Sequence, residues 1–186
     1  DNDANDCWGV SDGTYGATAY TFYKHDGTNK RTWGQIGYFF FDDEYVALGA
    51  GIGSNHDAAI HTTLNQTKAG DDVSVNGETV ATGTDDVTYQ ADYVYNNKIG
   101  YVFPQQTEVH VSNLNHTDKK YPSVRGLGYS DTEGDHFGTT EEDTFSLWID
   151  HGTKPESESY AYIVLPNKTE EDVAAYSESN QITIVA

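Results

Sequence analysis

A two-residue period constrains this chain more than any other feature. Along most of the 186 residues, side chains sort onto alternate sides of an extended backbone, the repeat of a β-strand with one face turned inward. Thr14 to Tyr23 set Ala17, Ala19, Thr21 and Tyr23 on one side and Thr18, Tyr20 and Phe22 on the other. Ile36 to Phe41 and Tyr45 to Ala50 form the next pair, and Ala59 to Leu64 alternates again. Val109 to Leu114, Phe145 to Ile149, Tyr160 to Leu165 and Ile182 to Val185 complete the expected strands. Only 36% of the residues are hydrophobic. Fourteen Tyr, seven Phe and three Trp compensate, because aromatic rings bury large areas and suit strands.

Turn chemistry punctuates the period. Asn76-Gly77 supplies the positive φ angles of a tight primed turn, so a hairpin is expected from Val73 to Val80. A second hairpin is expected to turn at Asn96-Asn97. One helix is expected near the C-terminus. Thr169 is a good N-cap, and Glu170, Glu171 and Asp172 favour the positive end of the helix dipole. The acidic, Gly-rich piece from Tyr129 to Asp143 reads as a long exposed loop. With no internal repeat or linker, residues 1–186 read as one domain, with residues 1–7 as a flexible acidic end.

The segment GYFFFDDEYVALGAGIG sets Asp42, Asp43 and Glu44 directly against three phenylalanines. A carboxylate cluster there would suggest acid–base or metal chemistry. The flanking strands stand at hairpin spacing, however, and Asp is favoured in turns because it caps nearby amides. Consecutive strand residues would also point to opposite sides. The three acids read as a turn.

Thirty acids against ten Lys plus Arg leave a net charge of −20. A field of that sign repels nucleic acid and anionic lipid, so neither is expected as a partner. No run approaches the roughly 18 apolar residues of a membrane helix. Cys7 stands alone, so no internal disulfide can form. The chain opens at Asp1 rather than Met and is read as a processed form, an excised domain or a fragment of a secreted protein.

Calcium is the one cofactor the sequence offers. Asp1, Asp3, Asn5 and Asp12 fall at the ligand offsets of a calcium loop, but Asp6 stands where such loops need Gly, and Asp12 is shorter than the usual bidentate Glu. His56 and His61, and His110 and His116, are not spaced to share a zinc ion with an obvious third ligand. Asn65, Asn115 and Asn167 each open an N-glycosylation sequon. Trp33, between polar neighbours and Gly34, is the surface candidate for stacking on a sugar.

Three segments resemble one family. WGVSDGTYGATAY, then GYFFFDDEYVALGAGIG with TTLNQT, and finally FSLWIDHGTKPESESYAYIVLPNKTEEDVAAY are similar to the central β-sandwich of polysaccharide lyase family 8, and IGYVFP between them also fits. The resemblance runs from Trp8 to Ala186 and is weaker from Lys68 to Asp143. It implies an all-β, antiparallel sandwich of supersandwich type with one short helix near the C-terminus. It also implies an ancestry among enzymes that cleave uronate-containing polysaccharides by β-elimination. Family members place an Asn, His, Tyr and Arg set on a helical domain and an assisting Glu earlier than this chain begins, so no catalytic residue carries over. The expected function is a secreted, non-catalytic module that serves as scaffold or weak glycan contact. Its expected partners are a polysaccharide or other domains of a lyase. Two alternatives stand beside it. One is a fragment of a complete lyase. The other is a subunit of an extracellular filament that self-assembles through strand edges.

Overall fold

A computed structural model describes residues 6–25, 27–70, 72–116, 142–179 and 182–184. In chain order the elements are β1 (Cys7–Ser11), β2 (Gly16–His25), β3 (Arg31–Phe40), β4 (Tyr45–Ser54), β5 (Ala59–Lys68), β6 (Ser74–Val75), β7 (Glu78–Thr79), β8 (Thr84–Asn96), β9 (Ile99–His116), β10 (Glu142–Thr153), β11 (Glu158–Pro166) and α1 (Glu170–Ser179). Every strand pairing among them is antiparallel.

Strands run side by side in the order β1-β2-β3-β4-β11-β9-β8-β6-β7, and β10 joins β5 to the far half of β9. The long strand β9 therefore belongs to two layers. Its start, Ile99–Val102, pairs with β11, and its end, from His110 onward, pairs with β10. Between these halves the register against β8 jumps from Val102↔Tyr93 to Thr107↔Ala91. Pro104 falls within the jump, where a strand can give up a ladder donor and bend. The bend folds the sheet over itself. Asn76 at the β6–β7 turn holds the place open: its Oδ1 accepts the amides of Asp92 and Tyr93 at 2.9 and 3.0 Å.

The core follows from the alternation. Tyr160, Tyr162 and Val164 of β11 pack with Phe145, Leu147 and Ile149 of β10 and with Tyr101 and Phe103 of β9. Phe145 and Leu147 are fully buried, and each such side chain contributes about 1.5–3 kcal/mol. The intervening residues Ile163, Leu165, Val46 and Val102 face the other way, under α1. Gly100 lets the helix approach, because a Cβ there would run into the Val173 side chain. Thr169 and Asp172 close the helix start reciprocally: Thr169 Oγ1 accepts the Asp172 amide at 3.2 Å, and Asp172 Oδ2 accepts the Thr169 amide at 3.0 Å.

Four expectations shift. Cys7, placed by sequence in the acidic end, is the first residue of β1. The second hairpin turns at Asn97-Lys98, with φ of 49° and 64°, rather than at Asn96-Asn97. Asn96 is instead the last residue of β8 and fully buried, its Oδ1 accepting the Gly70 amide at 2.8 Å. Residues 182–184 form no strand, and Ile182 packs against the cluster beneath α1. Of the long loop expected from Tyr129 to Asp143, Asp143 lies in β10 and residues 129–141 lie outside the described ones.

Candidate functional site

The acidic turn resolves into three separate contacts. The Phe41 amide donates to the Glu44 carbonyl at 2.9 Å, which closes the β3–β4 hairpin. Asp42 accepts from the Tyr15 hydroxyl at 3.2 Å, while Asp43 pairs with Lys168 at 3.0 Å. Glu44 hydrogen-bonds Tyr176, and burial together with the Glu44 charge pushes that phenol up to about 12. The acids diverge, and two of them tie the hairpin to the segment around α1.

Asp12 is likewise spoken for. Its Oδ1 accepts the amides of Thr14 and Tyr15 at 2.9 and 2.7 Å, capping the β1–β2 turn. Those bonds hold its carboxyl below the usual value. Asp1, Asp3 and Asn5 lie outside the described residues. Among the described residues, no group of three or more His, Cys, Asp or Glu could hold a metal ion.

The outer face of the second layer carries a ladder of rings. His61 on β5, Trp148 on β10 and His110 on β9 stand in line, with ring centroids 6.1 and 5.2 Å apart and planes within 29° and 20°. A carboxylate flanks each imidazole: Asp150 lies 3.6 Å from His61, and Asp86 lies 2.6 Å from His110. These residues are far apart in sequence and meet only through the β5–β10–β9 pairing. No spacing rule brings them together in advance. The ladder offers stacked rings whose imidazoles are each flanked by a carboxylate.

Among the tyrosines, the other plentiful acid–base type, Tyr95, Tyr101, Tyr160 and Tyr162 are buried. Burial pushes the Tyr101 hydroxyl up to about 12, against a lowering hydrogen bond from the Asn65 amide. Burial raises Tyr160 and Tyr162 further still. His151 goes the opposite way. Burial lowers its pKa, and its Nε2 lies 2.7 Å from the Thr62 hydroxyl.

The sugar-stacking candidate Trp33 is half-buried. Its indole lies over Gly53, its direct partner on β4, where no side chain could fit. The more open indole is Trp8, 55% exposed on β1, hidden from sequence reading by the acidic residues around it. Of the sequons, Asn167 is exposed in the turn before α1 at a φ of 58°. The Asn65 amide is held by Tyr101, and the Asn115 amide donates to Asp143 at 2.7 Å.

The bent β9 shared between two antiparallel layers, and the helix seated on the outer face of one, define a super-sandwich domain. The chain matches the family described as polysaccharide lyase family 8, super-sandwich domain, over residues 2–177, and it belongs to that family. It is 39% identical over 170 residues to the chondroitinase-AC of Pedobacter heparinus, covering 88% of this chain and 22% of that protein. It is 31% identical over 189 residues to the xanthan lyase of Bacillus sp. strain GL1, covering 93% of this chain and 19% of that one. A solved Paenibacillus xanthan lyase superposes with a TM-score of 0.74 at 27% identity, over 91% of this chain and 17% of that one. A chondroitinase AC lyase solved with oligosaccharides does so at 0.74 and 33%, over 92% and 24%. The chain thus spans about a fifth of the length of the curated relatives it matches.

Proposed function

We propose that the chain is the β-sandwich support of a secreted polysaccharide lyase that cleaves uronate-containing glycans by β-elimination. In this reading it supplies framework and a glycan-facing wall, while the proton-transfer groups belong to the remainder of the enzyme. The observation that carries it is the family match over residues 2–177, set against relatives about five times longer.

The geometry is consistent with a supporting role. β-Elimination needs a base for the sugar proton, a donor for the leaving oxygen and a positive group for the uronate carboxylate. Tyr101, Tyr160 and Tyr162 face the core with raised pKa values, which unsuits them to proton transfer near neutrality. A chain at −20 is also a poor source of anion neutralisation. Trp33 is the residue we propose for sugar contact, and Asn167 is the sequon best placed to carry a glycan.

The test is uronate release. Chondroitin and xanthan are incubated with the 186-residue chain and with the polypeptide purified from its source, and the unsaturated product is followed by its ultraviolet absorbance. Release by the source polypeptide and none by the chain alone is the expected pattern. Release by the chain alone would overturn the supporting role, and release by neither would overturn the lyase reading.

A further inference from the structure

Where β9 bends, its pairing with β8 passes from Val102↔Tyr93 to Thr107↔Ala91, so the four residues Phe103 to Gln106 stand opposite Asp92 alone. Strands that lose register in this way part from each other. The helix supplies the facing wall. Ala174, Ser177 and Glu178 share one stripe of α1 beside the buried Val173 and line the gap. The cleft so formed holds about 460 Å³, within the range of about 300–1,000 Å³ common for small-ligand sites. Asp92 is fixed from three sides. Its amide donates to Asn76 Oδ1 at 2.9 Å, its carbonyl accepts the Ser177 hydroxyl at 3.4 Å, and its Oδ2 accepts the Gln106 amide at 3.4 Å. From the described residues, neither Asp92 Oδ1 nor the Glu178 carboxylate accepts a hydrogen bond. Phe103, buried, and Pro104, half-buried, give the cleft its apolar surface. Tyr93 is half-buried there, and burial, with the Glu170 and Glu178 charges behind it, raises its pKa and keeps the phenol a donor.

We propose that the cleft between Asp92 and Glu178 binds one uncharged sugar residue of a glycan, a hexose or an N-acetylhexosamine. This rests on the reading of the chain as the glycan-facing wall of a lyase, and gives that wall a contact for the neutral residues that stand beside the uronates. The lining selects the ligand. Asp92 Oδ1 and the Glu178 carboxylate accept from sugar hydroxyls, and hydrogen bonds to a charged acceptor are about twice as strong as neutral ones. Gln106 keeps a second amide hydrogen and Tyr93 a phenolic one, so the ligand must accept as well as donate. A pyranose hydroxyl does both, and the C–H faces of the ring match Pro104 and the Tyr93 ring. A uronate or sulfate would meet two carboxylates and, among the lining residues, no cation. A lysine or arginine side chain would satisfy the carboxylates but leave the Gln106 and Tyr93 donors without acceptors. A metal ion fails on the same count, and among the described residues no group of three His, Cys, Asp or Glu could hold one.

The test is titration calorimetry of the 186-residue chain with cellotetraose, with the tetramer of N-acetylglucosamine, with tetragalacturonate and with tetralysine. Expected is saturable binding of at least one neutral tetramer, with the acidic tetramer at least about tenfold weaker. Asp92→Asn and Glu178→Gln keep the shape of the cleft and remove a charged acceptor. Each should weaken the neutral sugar at least about fivefold and leave the urea midpoint unchanged. Glu171→Gln removes the same charge from α1 outside the cleft and should leave binding as it was. Neutral binding that survives both cleft variants overturns the proposal, as does equal binding of tetragalacturonate or no binding of any tetramer. Tetralysine that binds more tightly than either neutral sugar, and is lost in the same variants, overturns it in favour of a cationic partner. Uronate release by the source polypeptide without neutral-sugar binding defeats this inference alone. Neutral-sugar binding in the cleft without uronate release defeats the lyase reading alone.

Discussion

The ring of Tyr160 lies across Gly49, its direct partner on the neighbouring strand, and fills the space a side chain would occupy. The two complete a row, Tyr20–Ile36–Gly49–Tyr160, that crosses four strands on the inward face. Because the contact is with the near edge of a packed ring, a methyl at 49 must displace Tyr160 from the core. Gly49→Ala should therefore lower stability by about 1–3 kcal/mol, measured by urea unfolding. An unchanged midpoint would mean that the ring has room to move.

Gly100 plays the same part on the other face, beneath Val173 of α1. Gly100→Ala should lift the helix, costing about 1–3 kcal/mol with loss of helical circular dichroism. Thr169→Ala removes the N-cap and should cost about 1 kcal/mol. Because both act on the docking of one helix, the double variant should lose less than the sum. Strict additivity would show that capping and seating are independent.

Local turn chemistry was the legible part of this fold, and long-range pairing was not. Asp42 to Glu44, Asn76-Gly77 and the Thr169 cap each announce themselves within four residues, and the structure places all three as expected. The resemblance to a lyase sandwich was legible too, because the SYAYIVLP strand and the following helix keep their order and spacing. The Asn97-Lys98 turn missed by one residue because two asparagines compete for it, and burial of Asn96 decides the matter. β1 was masked by its acidic flank, which suggests a calcium loop when read without the Tyr20 to Cys7 pairing. The ladder of His61, Trp148 and His110 had no sequence signal at all, since its members lie on three strands joined by a bent β9.

Asp57 sits between two lysines, 2.6 Å from Lys154 Nζ and 2.6 Å from Lys30 Nζ, and so ties the approach to β3 to the β10–β11 turn. The lysine hydrogen bonds, Lys154 first, lower its carboxyl from 3.8 to about 2. A depressed carboxylate contributes stability that is whole above the unfolded value and lost as pH falls through the folded one. Wild type and Asp57→Asn should thus differ by a constant, small amount from neutrality down to the unfolded value, and converge as pH falls toward 2. Exposure and screening keep the effect modest, and added salt should shrink it. Acid unfolding followed by tryptophan fluorescence at two salt concentrations checks this, and curves that stay parallel down to the lowest pH would refute it.

Buried tyrosines set the alkaline limit in the opposite sense. Tyr101 is pushed up to about 12, and Tyr160 and Tyr162 lie higher, all from the ordinary value of 10.0 and all through burial. An unfolded chain releases these protons near the ordinary value, so it binds fewer than the folded one above it. Stability is therefore whole below 10.0 and falls as pH rises toward 12. The last tyrosinate absorbance should appear together with loss of the β-sheet signal, not before it. Tyr101→Phe removes one such group and should shift alkaline unfolding upward, while leaving the Asn65 amide unpaired at a neutral-pH cost of about 1–3 kcal/mol. If every tyrosine titrates in a single step while the sheet is intact, these phenols reach solvent in the folded state. They would then become available for the proton transfers that the proposed function assigns elsewhere.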